Sequence, residues 1–449
     1  MATVLRRTGS GAYYGKMTIS LWVKRAKLGE QGIFGRREGS STANLSTCHF
    51  TSDDQLLINF RDGGGNSKYY MITNRRFRDV GFWYHIVFAI DGTDGTAGDR
   101  SKLYINGVRE TSFSLLNNPS STGYEVNMFV GGSYHTYIAR GLKSASDSWL
   151  TFEGCMSHIH CSTGYTYDAS VFGSTDSTTG EWKINTSPSF TLGTDGFTIL
   201  KDGNTITDQS SNSNDFSLYS GTLTKTEDNP SNVFCNFNNL TRVPSSSYSN
   251  GNTKAVDGAG AHKAFYGTLG FSSGKYYWEA KAVGGSKYTI GLSDVENYIN
   301  YTQVTSTNVI VGESSNSYAY GDAIGWYYDA INKNGSTIAS GVHTIATNDI
   351  MMVAADADAG KIYYGLNGTW RVANSTTFNA SSNDTTFTTG KTYTPAFSGE
   401  NCGWEVNWGN GYFGTTAVSS EGTNASGIGK FEYDVPTGFT ALSTKGLNE

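Results

Sequence analysis

Met17-Thr18-Ile19-Ser20-Leu21-Trp22-Val23-Lys24 decides the fold. Met17, Ile19, Leu21 and Val23 alternate with Thr18, Ser20 and Lys24, the two-residue period of an extended strand with one buried face. Trp22 then stands on the outer face or under a second layer. Phe82-Trp83-Tyr84-His85-Ile86-Val87-Phe88-Ala89-Ile90 is apolar on both faces, as a central sandwich strand is. No window of eleven or more residues keeps a helical apolar stripe clear of Gly and β-branched residues. The chain reads as all-β.

Turn chemistry supports this reading. Lys102-Leu103-Tyr104-Ile105 turns at Asn106-Gly107 into Val108-Arg109-Glu110, and Lys361 to Leu366 turns at Asn367-Gly368 into Thr369-Trp370-Arg371. Asn-Gly tolerates the two positive φ angles of a type I′ hairpin turn. Each hairpin follows an apolar strand that ends in an Asp turn, at Asp91 and at Asp356. The same grammar in each half predicts two β-sandwiches of related build. The polar stretch Thr222 to Ser231 lies between them, and Gly164 to Asp228 is too short to build a core of its own. The expected division is residues 1–165, a Ser/Thr/Asn-rich connector 166–231 that completes the first sandwich, and residues 232–449.

Composition bounds the function. The 449 residues carry 33 Lys+Arg and 39 Asp+Glu, a net charge of −6, which argues against a dedicated nucleic-acid binder. With 55 Gly, 6 Pro, 28 Tyr, 23 Phe and 9 Trp the chain is turn-rich and aromatic-cored rather than disordered. No apolar run is long enough to span a bilayer, and no apolar stretch follows the basic N-terminal residues as a secretory signal would require. The expectation is a protein made in a cytosol, without membrane insertion, whose Cys48, Cys155, Cys161, Cys235 and Cys402 stay reduced and mostly buried.

The first half resembles laminin-G-like, concanavalin-A-like lectin domains of bacteriophage structural proteins. The resemblance rests on Ile19 to Arg25, Trp83-Tyr84-His85-Ile86-Val87, Lys102 to Gly107 and Met156-Ser157-His158-Ile159-His160, with Thr175 to Lys183 resembling a phrase that follows this domain. The second half is similar to SPRY (B30.2-type) domains in Ser273 to Glu279, Ile290-Gly291-Leu292, Asp358 to Tyr363 and Tyr393-Thr394-Pro395-Ala396. Its closing phrase, Val435 to Leu442, resembles the same phage proteins. The resemblance implies a concanavalin-A-like jelly roll followed by a SPRY-like sandwich. Such domains usually open with a strand and an Asp-x-Ser-Gly-rich turn that here has no counterpart before Thr18. Gly196-Phe197-Thr198-Ile199-Leu200 and Asp208 to Phe216 look like that opening, so residues from about 190 to 225 are expected to supply it, as a circular permutation would.

Several motifs invite chemistry. Cys155-Met156-Ser157-His158-Ile159-His160-Cys161 offers thiols and imidazoles to zinc. On a regular strand, Cys155, Ser157, Ile159 and Cys161 face one way and Met156, His158 and His160 the other, so four ligands cannot converge. Retaining glucanases of the superfamily need two carboxylates about 5 Å apart. The one Glu-x-Asp, Glu432-Tyr433-Asp434, lacks a following Glu, and Asp294-Val295-Glu296 lacks a third partner. No nucleophile elbow or P-loop is present, and Gly63-Gly64-Gly65 and Gly284-Gly285 read as hinges. Asp53-Asp54, Asp91 with Asp94, and Asp356 with Asp358 are turn carboxylates. The resemblance makes Asp91 and Asp94 the calcium candidates. Loop aromatics can stack on sugars, and Tyr298, Asn300 and Tyr301, with Tyr318 and Tyr320, are the candidate ligand residues. Together these readings imply a non-catalytic, homo-oligomeric virion structural protein, a tail-fibre tip, appendage or knob, that binds host-surface glycan or receptor. Decoration through contacts with other virion proteins is the alternative, and glycan depolymerisation the third reading.

Overall fold

A computed structural model describes residues 2–37, 45–61, 66–126, 128–129, 131, 134–142, 149–201, 203, 205–241, 246–258, 263–296, 310–312 and 323–448. Two compact units divide the chain, Met1–Lys225 and Thr226–Glu449, so the division falls inside the polar stretch 222–231. Almost half the chain is strand, and no helix among the described residues reaches seven residues.

The first unit is a sandwich of two antiparallel sheets. One runs in the order Phe113–Asn117, Ser67–Arg76, Gln55–Arg61, Leu45–Phe50, Gln31–Arg37, His135–Ile138, Val4–Arg7 and Ser217–Ser220. The other runs Phe197–Ile199, Gly154–Thr163, Lys16–Arg25, Tyr84–Asp91, Ser101–Ile105 and Val108–Arg109. Met17, Ile19, Leu21 and Val23 meet Ile58, Phe60 and Met71 in one buried cluster. Phe197 and Phe216 join that cluster, and the strands beside them close one edge of each sheet. A strand that sequence reading missed, Val4–Arg7, lies ahead of Thr18 and pairs with both His135–Ile138 and Ser217–Ser220. Asp195 fastens this corner: it accepts hydrogen bonds from Arg7 (2.6 Å), the Ser10 amide (3.0 Å) and the Tyr14 hydroxyl (2.6 Å).

Trp22 stands under a second layer. Residues 164–192 cross the outer face of the six-stranded sheet, and their short hairpin, Gly173–Thr175 with Trp182–Ile184, places Trp182 over His85. His85 is stacked between Trp22 (4.6 Å) and Trp182 (5.9 Å). The Trp182 indole N–H donates to His85 Nδ1 (2.9 Å). Nδ1 must therefore be unprotonated, and Nε2–H of the neutral ring donates to the Ser20 hydroxyl (2.9 Å). Gly107 serves twice here. It takes the positive φ of the hairpin turn (79°, after 49° at Asn106), and any Cβ on it would collide with the Trp182 ring.

The second unit repeats the plan. Its nine-stranded sheet runs Ser246–Ser249, Lys254–Asp257, Gly403–Asn407, Lys275–Val283, Ile350–Asp356, Lys361–Leu366 and Thr369–Trp370, joined by Thr385–Thr386 and by Thr440–Ala441, which is parallel to Lys275–Val283. Its six-stranded sheet runs Lys263–Tyr266, Tyr393–Glu400, Ser286–Asp294, Ala323–Tyr327, Ala330–Lys333 and Ser336–Ser340. Trp278, Trp326, Trp404 and Trp408 fill the interior. Three of the Asn-Gly turns share one device across both units. Each Asn accepts, through its side-chain oxygen at 2.8 Å, the amide of a residue on the strand before its hairpin, and donates its own amide to that residue's carbonyl. The pairs are Asn106 with His85, Asn334 with Ala323 and Asn367 with Ile350.

The face of Lys275–Val283 that carries Tyr277 and Glu279 is also covered. Glu279 is fully buried and accepts four hydrogen bonds, from the Tyr277 hydroxyl (2.9 Å), Asn407 Nδ2 (3.3 Å) and the amides of Glu432 (2.9 Å) and Tyr433 (2.8 Å). Glu279 thereby pins the C-terminal segment onto the sheet, and Phe431 packs on Tyr277 at 4.9 Å.

Two strand assignments differ from the sequence reading. The second strand begins at Tyr84, and Phe82 is 44% exposed. In Gly154–Thr163 the register shifts between Ser157, opposite Trp22, and His160, opposite Ser20, where His158 takes a φ of 45°. The inserted residue reverses the alternation. Met156 packs toward the core with Ile159 and Cys161, while Cys155 and Ser157 face the other way. The two thiols therefore lie on opposite faces, not on one.

The buried histidines and Glu279 respond to pH with opposite signs. Burial, reinforced by repulsion from a neighbouring imidazole and, for His160, by the Lys201 charge, lowers the His85 and His160 pKa from 6.5 to about 3. The unfolded chain binds protons there that the folded unit refuses, so first-unit stability falls as pH drops below 6.5. Burial raises Glu279 from 4.5 to about 7, against the pull of its four donors. The folded second unit then holds a proton that the unfolded chain releases, so its stability rises as pH falls from 7 towards 4.5. Calorimetry from about pH 7 to about pH 5 is expected to show the first unit losing about 2 kcal/mol per histidine and the second gaining a similar amount. Glu279→Gln, which cannot titrate, is expected to remove the gain alone.

Candidate functional site

The outer face of the eight-stranded sheet gathers six side chains from five strands. Arg6 comes from Val4–Arg7, His135 and Tyr137 from His135–Ile138, Arg140 from Arg140–Leu142, Trp149 from Trp149–Thr151 and Tyr219 from Ser217–Ser220. In His135–Ile138, Ile138 enters the core, so Tyr137 and His135 face outward. Ala139 adopts a φ of 62°, which turns the chain out of the sheet. The short hairpin of Arg140–Leu142 with Trp149–Thr151 then lies over the same face, where the Leu142 amide donates to the Thr47 hydroxyl (3.0 Å). Glycines permit that closeness: a Cβ on Gly32 would overlap the Gly141 backbone, and one on Gly35 would stand 3.1 Å from the Arg140 carbonyl oxygen.

The side chains form a connected platform. Tyr137 meets Trp149 edge-on at 4.9 Å and Tyr219 at 5.5 Å. The Arg140 guanidinium lies 4.2 Å from the Trp149 ring centre, 5.0 Å from Tyr137 and 5.1 Å from Tyr219. Arg6 lies 5.1 Å from Tyr219. Tyr219 is 45% exposed, and the other five side chains are half-buried. The Thr8 hydroxyl and His135 Nδ1 share a hydrogen bond at 2.9 Å. Burial, and then the Arg6 charge, lowers the His135 pKa. Burial raises the Tyr137 pKa, with Arg140 pulling it down. Such an arrangement can stack flat apolar rings of a ligand and donate hydrogen bonds to its oxygens.

The residues singled out from sequence are not among these six. Tyr298, Asn300, Tyr301, Tyr318 and Tyr320 lie outside the described residues, as do Gly63-Gly64-Gly65. Asp91 pairs with Lys16 (2.9 Å) and accepts from Thr93, and Asp94 accepts the Thr96 amide. Asp54 joins Arg25 and Arg78, each at 3.1 Å, and Asp356 joins Lys275 (3.0 Å). Glu432 and Asp434 accept from Ser419 and Thr423, and Asp294 pairs with Lys391 (2.8 Å). Among the described residues no three His, Cys, Asp or Glu side chains converge as a metal site would require. None of the six platform residues was picked out from sequence, because they are scattered from position 6 to position 219. The one local signal was the aromatic on the polar side of His135-Thr136-Tyr137-Ile138.

Comparison with known proteins places the first unit. Residues 8–157 match the Laminin_G_3 family of the concanavalin A-like lectin/glucanases superfamily. No curated protein matches the chain. Among solved structures, the chain is similar to the SPRY domain of human HERC1, at 15% identity and a TM-score of 0.27, over 38% of this chain and 96% of that one. It is similar to the TRIM65 PSpry domain at 16% and 0.27, over 38% and 91%. It is also similar to the native heptameric SAP-like pentraxin of Limulus polyphemus at 16% and 0.27, over 37% and 72%.

The platform depends on the contact between the hairpin and the sheet. Gly32→Ala is expected to lift the hairpin, costing about 1–3 kcal/mol of first-unit stability. Amide exchange should rise at residues 149–152 more than in the Lys16–Arg25 strand, and equal rises in both would contradict this account.

Proposed function

We propose that the protein is a non-catalytic recognition protein that binds glycan on the ring-and-guanidinium platform of its first unit. The observation that carries this reading is the convergence of Tyr137, Trp149 and Tyr219 on one outer sheet face, with Tyr219 nearly half exposed. Sugars present C–H faces that stack on such rings, and their hydroxyls accept from the neighbouring Arg and His donors. The lectin/glucanase match over residues 8–157 is compatible with either binding or hydrolysis. Binding is favoured because, among the described residues, Asp91 is the one carboxylate on the strands of the first unit, and it is tied to Lys16. Hydrolysis with retention or inversion would need two facing carboxyl groups. Glu279 of the second unit is buried beneath the C-terminal segment, with both oxygens already engaged.

The sequence resemblance adds a setting: a phage particle, with the chain displayed on its surface at a fibre tip, appendage or knob. There, weak contacts multiply across copies on one particle. Decoration of the particle through other virion proteins is the second reading.

A glycan array probed with the purified chain tests the proposal. Binding is expected, and Tyr219→Ala and Trp149→Ala are each expected to weaken it at least about tenfold, the equivalent of about 1.4 kcal/mol. Binding that survives both substitutions would place the ligand elsewhere, and an array without signal would favour decoration. Release of reducing ends at high protein load would return hydrolysis.

A further inference from the structure

We infer that the platform selects a negatively charged polysaccharide, one bearing carboxylate or sulfate groups, which Arg6 and Arg140 receive side by side. This deepens the glycan reading and rests on it. Among the described residues, the other engaged arginines of the first unit spend their guanidinium groups on protein. Arg7 binds Asp195, Arg25 and Arg78 bind Asp54, Arg75 binds Glu110 and Arg109 binds Asp99. Arg6 and Arg140 have neither an ion pair nor a guanidinium hydrogen bond among those residues, and are held instead over aromatic rings.

That mode of holding matters chemically. A ring face attracts the cation through its π density and uses none of the N–H donors. Each guanidinium is therefore oriented while its planar fork stays available, the geometry that matches a carboxylate or sulfate with two parallel hydrogen bonds. Both guanidinium carbons are 5.1 Å from the same Tyr219 ring centre, so they lie within twice that distance of each other. Two neighbouring anionic groups on one chain can meet both. The charges that act on Tyr137 and His135 are those of Arg6 and Arg140, with Tyr219 the one acidic contributor. The site is thus electropositive in a protein whose net charge is −6.

The positive charge is segregated as well. The first unit holds 21 Lys+Arg against 20 Asp+Glu and 12 of the 14 arginines, whereas the second holds 12 against 19. A nucleic acid would call for a continuous cationic track along its backbone, and two guanidinium groups on one sheet face do not make one.

The test uses the full chain and isothermal titration with four probes: a polyuronate, a sulfated galactan, a neutral galactan and single-stranded DNA. The acidic polysaccharides are expected to bind and the neutral one to bind at least about tenfold more weakly. Affinity for the acidic probes should fall as salt rises, since exposed charges are screened beyond about 8 Å at physiological ionic strength. Arg6→Gln and Arg140→Gln should each weaken acidic binding at least about fivefold and weaken neutral binding less, so that the preference for the acidic polymers shrinks. Equal unfolding temperatures of the parent and both variants check that neither substitution disturbs folding. Neutral galactan bound as well as the acidic polymers, with both Gln variants silent, overturns the charge selection and leaves glycan binding standing. Preference for DNA over every polysaccharide overturns the inference. No polysaccharide binding at all overturns both. The relative strength of the polyuronate and the sulfated galactan identifies the anionic group.

Discussion

A polar side chain taken out of water must have its donors and acceptors matched, and that constraint organises both units. Each sandwich buries one face of each sheet by the hydrophobic effect alone. The outer faces are different, because a chain segment crosses them and has to be fixed in place. In the first unit the fixing group is His85, neutral between two indoles, with Nδ1 accepting from Trp182 and Nε2–H donating to Ser20. In the second it is Glu279, whose two oxygens accept two side-chain donors and two backbone amides. Asp195 performs the same task at the corner where the N-terminal strand meets the 193–196 turn. Removing one partner from any of these would leave a buried group unsatisfied, which costs more than the bond itself contributes.

These fixed layers cover one outer face in each unit, and on the eight-stranded sheet of the first unit aromatic and cationic side chains remain accessible. There the chain does the opposite of what it does at His85. Rings and guanidinium groups hold one another by stacking, which fixes their orientation without consuming hydrogen-bond donors. Rigid strands, not loops, present them, and the hairpin that carries Arg140 and Trp149 is seated by backbone contact at Gly32 and Gly141. Side chains preorganised in this way have little conformational freedom left to lose on contact with a partner.

Much of the fold was legible in the residues. The alternation of Met17, Ile19, Leu21 and Val23 gave the core face of the first sandwich, and the Asn-Gly pairs marked hairpins whose φ values are positive at both positions. Periodicity misled at Cys155 to Cys161, since a single inserted residue reverses the faces and no composition signal announces a bulge. The strand at Val4–Arg7 escaped notice because four residues are too few to show a period. The platform was illegible for another reason: five strands separated by up to 213 residues contribute to it, and only pairing brings them together.

Sequence by itself determined that this is a two-unit all-β protein, because side-chain alternation and turn chemistry are local properties that the backbone must obey. It also determined that Met17, Ile19, Leu21 and Val23 line the interior of the first sandwich. Tertiary structure alone decided which outer faces are sealed and which stay open. That outcome depends on where the 164–192 and C-terminal segments land and on the exact overlap of glycine backbones, and neither is encoded in any stretch short enough to carry a pattern.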